Sequence, residues 1–157
     1  MMSENRILDS GEAKELGRKL LNDGHQVQFK LGGNSMFPYL RDGEVAVTVR
    51  IPADQLKVGQ VIVFEQNGRW IAHRLVEIIQ TKERSNYVAQ GDSIMRPDAP
   101  ISEDAYMGVV IGFLRNGKQH EVDFGQEFYS KIMVSLRPFP QFLIRLFLRI
   151  RNRLRKF

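Results

Sequence analysis

The sequence predicts a mainly β domain, a twisted antiparallel barrel or sandwich, with a short helix before it and amphipathic helices after it. Three observations carry this reading. Apolar and polar residues alternate with period two in several segments after residue 25, turn-forming pairs such as Asn116-Gly117 separate those segments, and the alternation stops after Gly125. With 157 residues the chain has room for one domain and its appendages. Its expected organisation is a helical segment over 1–24, a β-rich domain over 25–125 and a helical, basic, amphipathic tail over 126–157.

Ser10 to Asp23 has the spacing of one helix. Ser10 or Asp9 caps it, Glu12 lies in its first turn, Ala13, Leu16 and Leu20 share a face, and Gly24 ends it. Val27, Phe29 and Leu31 then alternate with Gln26, Gln28 and Lys30, and Val45, Val47 and Val49 with Glu44, Ala46 and Thr48. Further strands are expected at 61–65, 69–79, 87–90, 106–114 and 119–124, with Gln66-Asn67-Gly68 and Asn116-Gly117 as turns. Seven or so short strands at this spacing suit a barrel or sandwich. Beyond Gly125, residues 126–136 have helical spacing, Pro138 and Pro140 interrupt it, and 141–157 begins a second helix. At 100° per residue, Leu143, Leu146, Phe147, Ile150 and Leu154 of that helix fall in one sector of about 100°. Arg145, Arg149, Arg151, Arg153, Arg155 and Lys156 occupy the rest.

Composition removes several classes of chemistry. There is no cysteine, so no disulfide, thiolate nucleophile, iron–sulfur cluster or cysteine-held zinc can form. His25, His73 and His120 lie too far apart for a helical metal pair, and no phosphate-cradling glycine pattern occurs. Neither a metal nor a cofactor is expected. The net charge of +5 is unevenly placed: residues 1–127 hold 15 Lys and Arg against 18 Asp and Glu, whereas 128–157 hold 8 basic residues and no acid. This asymmetry argues against a nucleic-acid partner and for a cationic element seeking an anionic surface. No run approaches the roughly 18 apolar residues of a membrane span, and residues 1–9 lack the apolar core of a secretory signal. A cytoplasmic protein is expected.

Gly32-Gly33-Asn34-Ser35-Met36-Phe37-Pro38 lies between two expected strands. A serine acts as a nucleophile when it is exposed on a constrained turn with a base in reach and free N–H groups to hold an oxyanion. Two glycines and a proline suit such a turn, although most serines in glycine-rich turns only bond their own backbone. In the strand Ile71-Ala72-His73-Arg74-Leu75, alternation puts His73 with Ile71, Leu75 and Ile79, and Arg74 with Trp70, Val76 and Ile78. A histidine there is a core residue or a catalyst. Gly91-Asp92-Ser93 and Asp98 follow the next strand, where aspartates usually shape turns.

Taken together, "GNSMFPYLRDGEVAVT", "GQVIVF", "WIAHRLVEI", "VAQGDSIMRPD" and "MGVVIGF" resemble, in order, the signal peptidase I and LexA-type superfamily of serine proteases over roughly residues 27 to 115. The resemblance implies that family's twisted β catalytic fold, with Ser35 of the Ser-Met-x-Pro motif as nucleophile. Most bacterial members place a lysine base where this chain has His73. A histidine there resembles the endoplasmic-reticulum and sporulation signal peptidases, in which a Gly-Asp pair and an aspartate six residues later support the base. Asp92 and Asp98 have that spacing, with Asp98 the first choice for holding the imidazole and Asp92 either sharing that role or stabilising the turn.

Two departures from the family stand out. A serine that helps to bind the oxyanion in many signal peptidases is replaced by Gly33, so the hole would rest on backbone N–H groups, including that of Ser35, and on Asn34. An N-terminal membrane anchor like that of signal peptidases is not expected either, because no run of residues is long and apolar enough. The function implied is a serine endopeptidase that cleaves leader or signal segments from peptide or protein substrates. The alternatives are a LexA-type self-cleaving regulator, for which the 34 residues before Ser35 are too few for a helix-turn-helix, and a catalytically silent binding module. The tail is expected either to dock on the domain or to hold the protein peripherally at the inner, anionic face of a membrane.

Overall fold

The computed structural model describes residues 10–81 and 84–122. One helix, α1 (Ser10–Asn22), precedes eight strands: β1 (Val27–Lys30), β2 (Val45–Val49), β3 (Val61–Gln66), β4 (Arg69–Gln80), β5 (Ser85–Gln90), β6 (Ile101–Ser102), β7 (Tyr106–Arg115) and β8 (Lys118–Glu121). They form one curled, half-barrel sheet in which every pairing is antiparallel, ordered β1-β2-β7-β3-β4-β5-β6. β3 pairs with the first half of β7, and β8 takes over along the second half. The short strand β6 had no signal in the alternation, since two residues cannot establish a period.

Local chemistry explains the connections. The β3–β4 and β7–β8 loops are the two-residue turns Asn67-Gly68 and Asn116-Gly117, all four residues having positive φ. That is the geometry whose twist matches paired strands, and Asn and Gly adopt it most easily. Curvature comes from three register slips, each leaving one extra residue: Met107 in β7 opposite β3, Ile111 in β7 opposite β2, and Val76 in β4 opposite β5. Such bulges bend a strand and re-aim the side chains beyond them.

The centre of the sheet, β3 and most of β7, is buried on both faces. Along β3, Val61 and Val63 join a cluster with Leu21, Met36, Leu40 and Met107, while Ile62 and Phe64 join a second cluster with Leu75, Tyr87, Tyr106 and Val109. This accounts for the unbroken apolar run Val61–Phe64.

Two expectations about faces are corrected. On α1 the core-facing residues are Gly17 and Leu21, with Leu21 fully buried, whereas Leu16 is 45% exposed and Ala13 is also exposed. Gly17 lies so close to Trp70 that a β-carbon there would meet the indole at 2.6 Å, and Lys14 and Arg18 bond Gly68 and Glu65 of the β3–β4 hairpin. Because the helix packs through this small residue, its buried face is turned away from the one that the large apolar side chains indicate. On β4 the slip at Val76 removes Ile79 from the face of His73 and Leu75. Ile79 is 36% exposed, and Ile78 packs instead beside Leu75 and Tyr87.

Candidate active site

Ser35 sits in the loop that joins β1 to β2. The base of this loop is closed by Leu31 N–H donating to Glu44 (2.7 Å) and Gly43 N–H donating to Leu31 (3.0 Å). Gly33 N–H donates to Asp42 Oδ1 at 2.8 Å, and Met36 and Leu40 anchor the loop in the core. Between these ties Ser35 stays partly exposed. Glu44, buried at the loop's end, accepts hydrogen bonds from Arg115, whose Nη2 also donates to the Tyr39 carbonyl at 3.0 Å.

The segment after β5 grips the serine from behind. Ser93 donates through N–H to the Ser35 carbonyl at 2.8 Å, and its hydroxyl contacts the carbonyls of Asn34 (2.7 Å) and Ser35 (3.0 Å). Gly91 permits this approach: a β-carbon there would lie 2.7 Å from the Ser35 carbonyl oxygen and 3.1 Å from its Cβ. Asp98 N–H donates to Ala89 at 2.8 Å, which folds the rest of the loop back beside β4.

His73 lies on β4, buried, with its ring edge-to-face with Phe64. Its Nδ1 is 2.7 Å from Asp98 Oδ2. With Nδ1 as the donor, Nε2 is the imidazole nitrogen left for chemistry. Asp92 goes elsewhere: its two oxygens accept from Arg74 Nε and Nη2, both at 2.7 Å, and Arg74 Nη1 donates to Gly59 at 2.7 Å. The guanidinium also stacks over Tyr39, 4.9 Å from the ring centre. Burial alone would lower the Arg74 pKa, but the hydrogen bonds and charge of Asp92 outweigh it and hold the pKa above its ordinary value.

Ser35 and His73 line one cleft of about 310 Å³, together with Gly32, Gly33, Met36 and Leu40 and the wall formed by Phe29 and Trp70. Among the described residues no hydrogen bond joins the Ser35 hydroxyl to the His73 ring, and the Ser35 N–H donates to no group. Asn34 does not line this cleft, and its carbonyl is held by Ser93 and by Phe37 N–H. Ser35 and His73 thus line one cleft and Asp98 meets the imidazole, whereas the carboxylate of Asp92 is paired with Arg74 and not with His73. Among the described residues no three His, Asp or Glu side chains converge as a metal site would. The cationic residues 145–156 of the tail lie outside the described residues.

Sequence reasoning passed over Ser93, Tyr39 and the pairing of Arg74 with Asp92. Ser93 stood in the motif beside Asp92, but only the fold shows that a loop 58 residues distant holds the Ser35 carbonyl. No protein-family model matches the chain, and no curated protein matches it.

Proposed function

We propose that this chain is a serine endopeptidase with the signal peptidase and LexA type of catalytic fold, cleaving leader or signal segments from peptide substrates. The observation that carries the reading is the 2.7 Å contact of Asp98 with His73 Nδ1, on a histidine that lines the same cleft as Ser35. In the proposed reaction His73 Nε2 takes the proton of the Ser35 hydroxyl as Oγ attacks a peptide carbonyl. Asp98 fixes the imidazole tautomer and stabilises its charged form. The oxyanion is received by backbone N–H groups, that of Ser35 among them. The imidazolium then protonates the leaving amine, and water releases the acyl group by the same steps in reverse order of proton transfer.

The missing Ser35–His73 hydrogen bond favours a second reading, a silent binding module. Catalytic contacts are often long before substrate binds, so the two readings part on turnover. Incubation with peptides from a digested proteome, followed by mapping of new termini, should reveal cleavage that Ser35→Ala and His73→Ala each abolish while both variants stay folded. Wild-type turnover in either variant would contradict the assignment.

The tail supplies the second part of the proposal. Among the described residues no helix is long and apolar enough to cross a membrane. We place the enzyme peripherally on an anionic bilayer through Arg145, Arg149, Arg151, Arg153, Arg155 and Lys156, each contributing on the order of 1 kcal/mol. Sedimentation should show binding to anionic but not neutral vesicles, weakened by salt and lost on deletion of residues 141–157. Equal binding by the truncated chain would return the tail to a packing role.

A further inference from the structure

Besides Ser35 and His73 the cleft is lined by Lys30, Arg41 and Arg69, and by no Asp or Glu. The composition of the body makes this notable, because residues 1–127 carry more acids than bases. Elsewhere three arginines face carboxylates: Arg18 meets Glu65, Arg74 meets Asp92 and Arg115 meets Glu44. The three cations of the cleft are exposed, and none forms an ion pair among the described residues. Asp42, next to Arg41, has one oxygen on the Gly33 N–H instead. The cations come from three places in the chain, the end of β1, the Ser35 loop and the start of β4, so the fold alone collects them. Between them run apolar walls from Phe29, Leu31, Trp70 and Ile71, with Phe29 and Trp70 edge-to-face at 5.7 Å.

We infer that the cleft selects peptide segments in which apolar residues are flanked by aspartate or glutamate. This rests on the reading of the cleft as a peptide site. A concave surface of one sign concentrates oppositely charged ligands, and the apolar walls require a ligand with apolar surface between its charges. That combination fits an acidic peptide better than nucleic acid, which is tracked by a stripe of cations along an open surface. The cations are exposed, so each contact is worth no more than about fivefold in affinity. Two or three together give roughly tenfold discrimination.

Fluorescence anisotropy on the Ser35→Ala chain, which holds ligands without cutting them, tests this. Two labelled decapeptide pools share randomised apolar positions and differ only in carrying Asp and Glu or Asn and Gln at the flanks. The acidic pool should bind about tenfold tighter at low salt, and the gap should shrink as salt is added. Adding Lys30→Gln, Arg41→Gln and Arg69→Gln should close the gap. These variants keep the basic tail, so a preference that survives in them belongs to the tail and overturns the inference. Equal affinity for the two pools overturns it too, as does a thymidine oligonucleotide that outcompetes the acidic pool. Labelling of wild-type Ser35 by a fluorophosphonate is read separately. Labelling without an acidic preference defeats only the charge selection, and an acidic preference without labelling defeats only the endopeptidase reading.

Discussion

Asp92 and Asp98 lie on one loop, yet one carboxylate holds an arginine and the other a histidine. Their substitutions should therefore fail in different ways. Asp98→Asn leaves the core intact, and its amide can stabilise the wrong imidazole tautomer, so activity should fall by orders of magnitude with little change in unfolding. Asp92→Ala strands a buried guanidinium, and breaking such a pair costs about 3–5 kcal/mol, read as a lower urea midpoint. Equal rate losses with unchanged stability in both would contradict this division. At this scale the sequence displayed the residue types and the spacing of the two aspartates. It left open which aspartate meets which partner, because that depends on how the loop after β5 folds, with Asp98 turned back to Ala89. Asn34 shows the same limit: beside Ser35 in sequence, it has its carbonyl tied to Ser93 and does not line the cleft.

Strand positions were legible because every strand but β6 has a period, an apolar run or a turn pair to mark it, and β1 to β5 and β7 fall within a few residues of the expected segments. Faces were less legible. A bulge changes which side every later residue takes, and nothing in the run Arg69–Gln80 announces one at Val76. β7 carries two, and beside them Tyr106 is buried against Tyr87, its hydroxyl donating to the Ile51 carbonyl at 3.2 Å. Burial raises the Tyr106 phenol from 10.0 to about 12 and raises Tyr87 as well. The folded chain thus keeps a proton that the unfolded chain releases first. The stability contributed by Tyr106 is complete below pH 10.0 and is lost as pH rises from there to about 12. Urea midpoints measured at about pH 9 and about pH 11 should fall more steeply for the wild type than for Tyr106→Phe. Parallel declines would show that the phenol ionises alike in both states.

For the whole molecule, the sheet is a holder for one cleft. α1 and the Ser35 loop cover one face, the β3–β4 hairpin presents His73, and the loop after β5 reaches both residues through Ser93 and Asp98. Charge follows the same plan, with cations gathered at the cleft of a body that carries more acids than bases, and a purely basic tail after it. The mainly β class and the charge partition were readable from alternation and counting, whereas the shared cleft of Ser35 and His73 and the contact of Asp98 with the histidine are properties of topology, anticipated in the sequence only through the family resemblance. In the proposed reaction Ser35 is an activated nucleophile. This is tested most directly by treating the folded protein with a fluorophosphonate and locating the adduct by peptide mass spectrometry. Stoichiometric modification at Ser35, absent in Ser35→Ala and strongly slowed in His73→Ala and Asp98→Asn, is the predicted result. A wild-type chain that stays unmodified, or a label that is unaffected by His73→Ala, would contradict it.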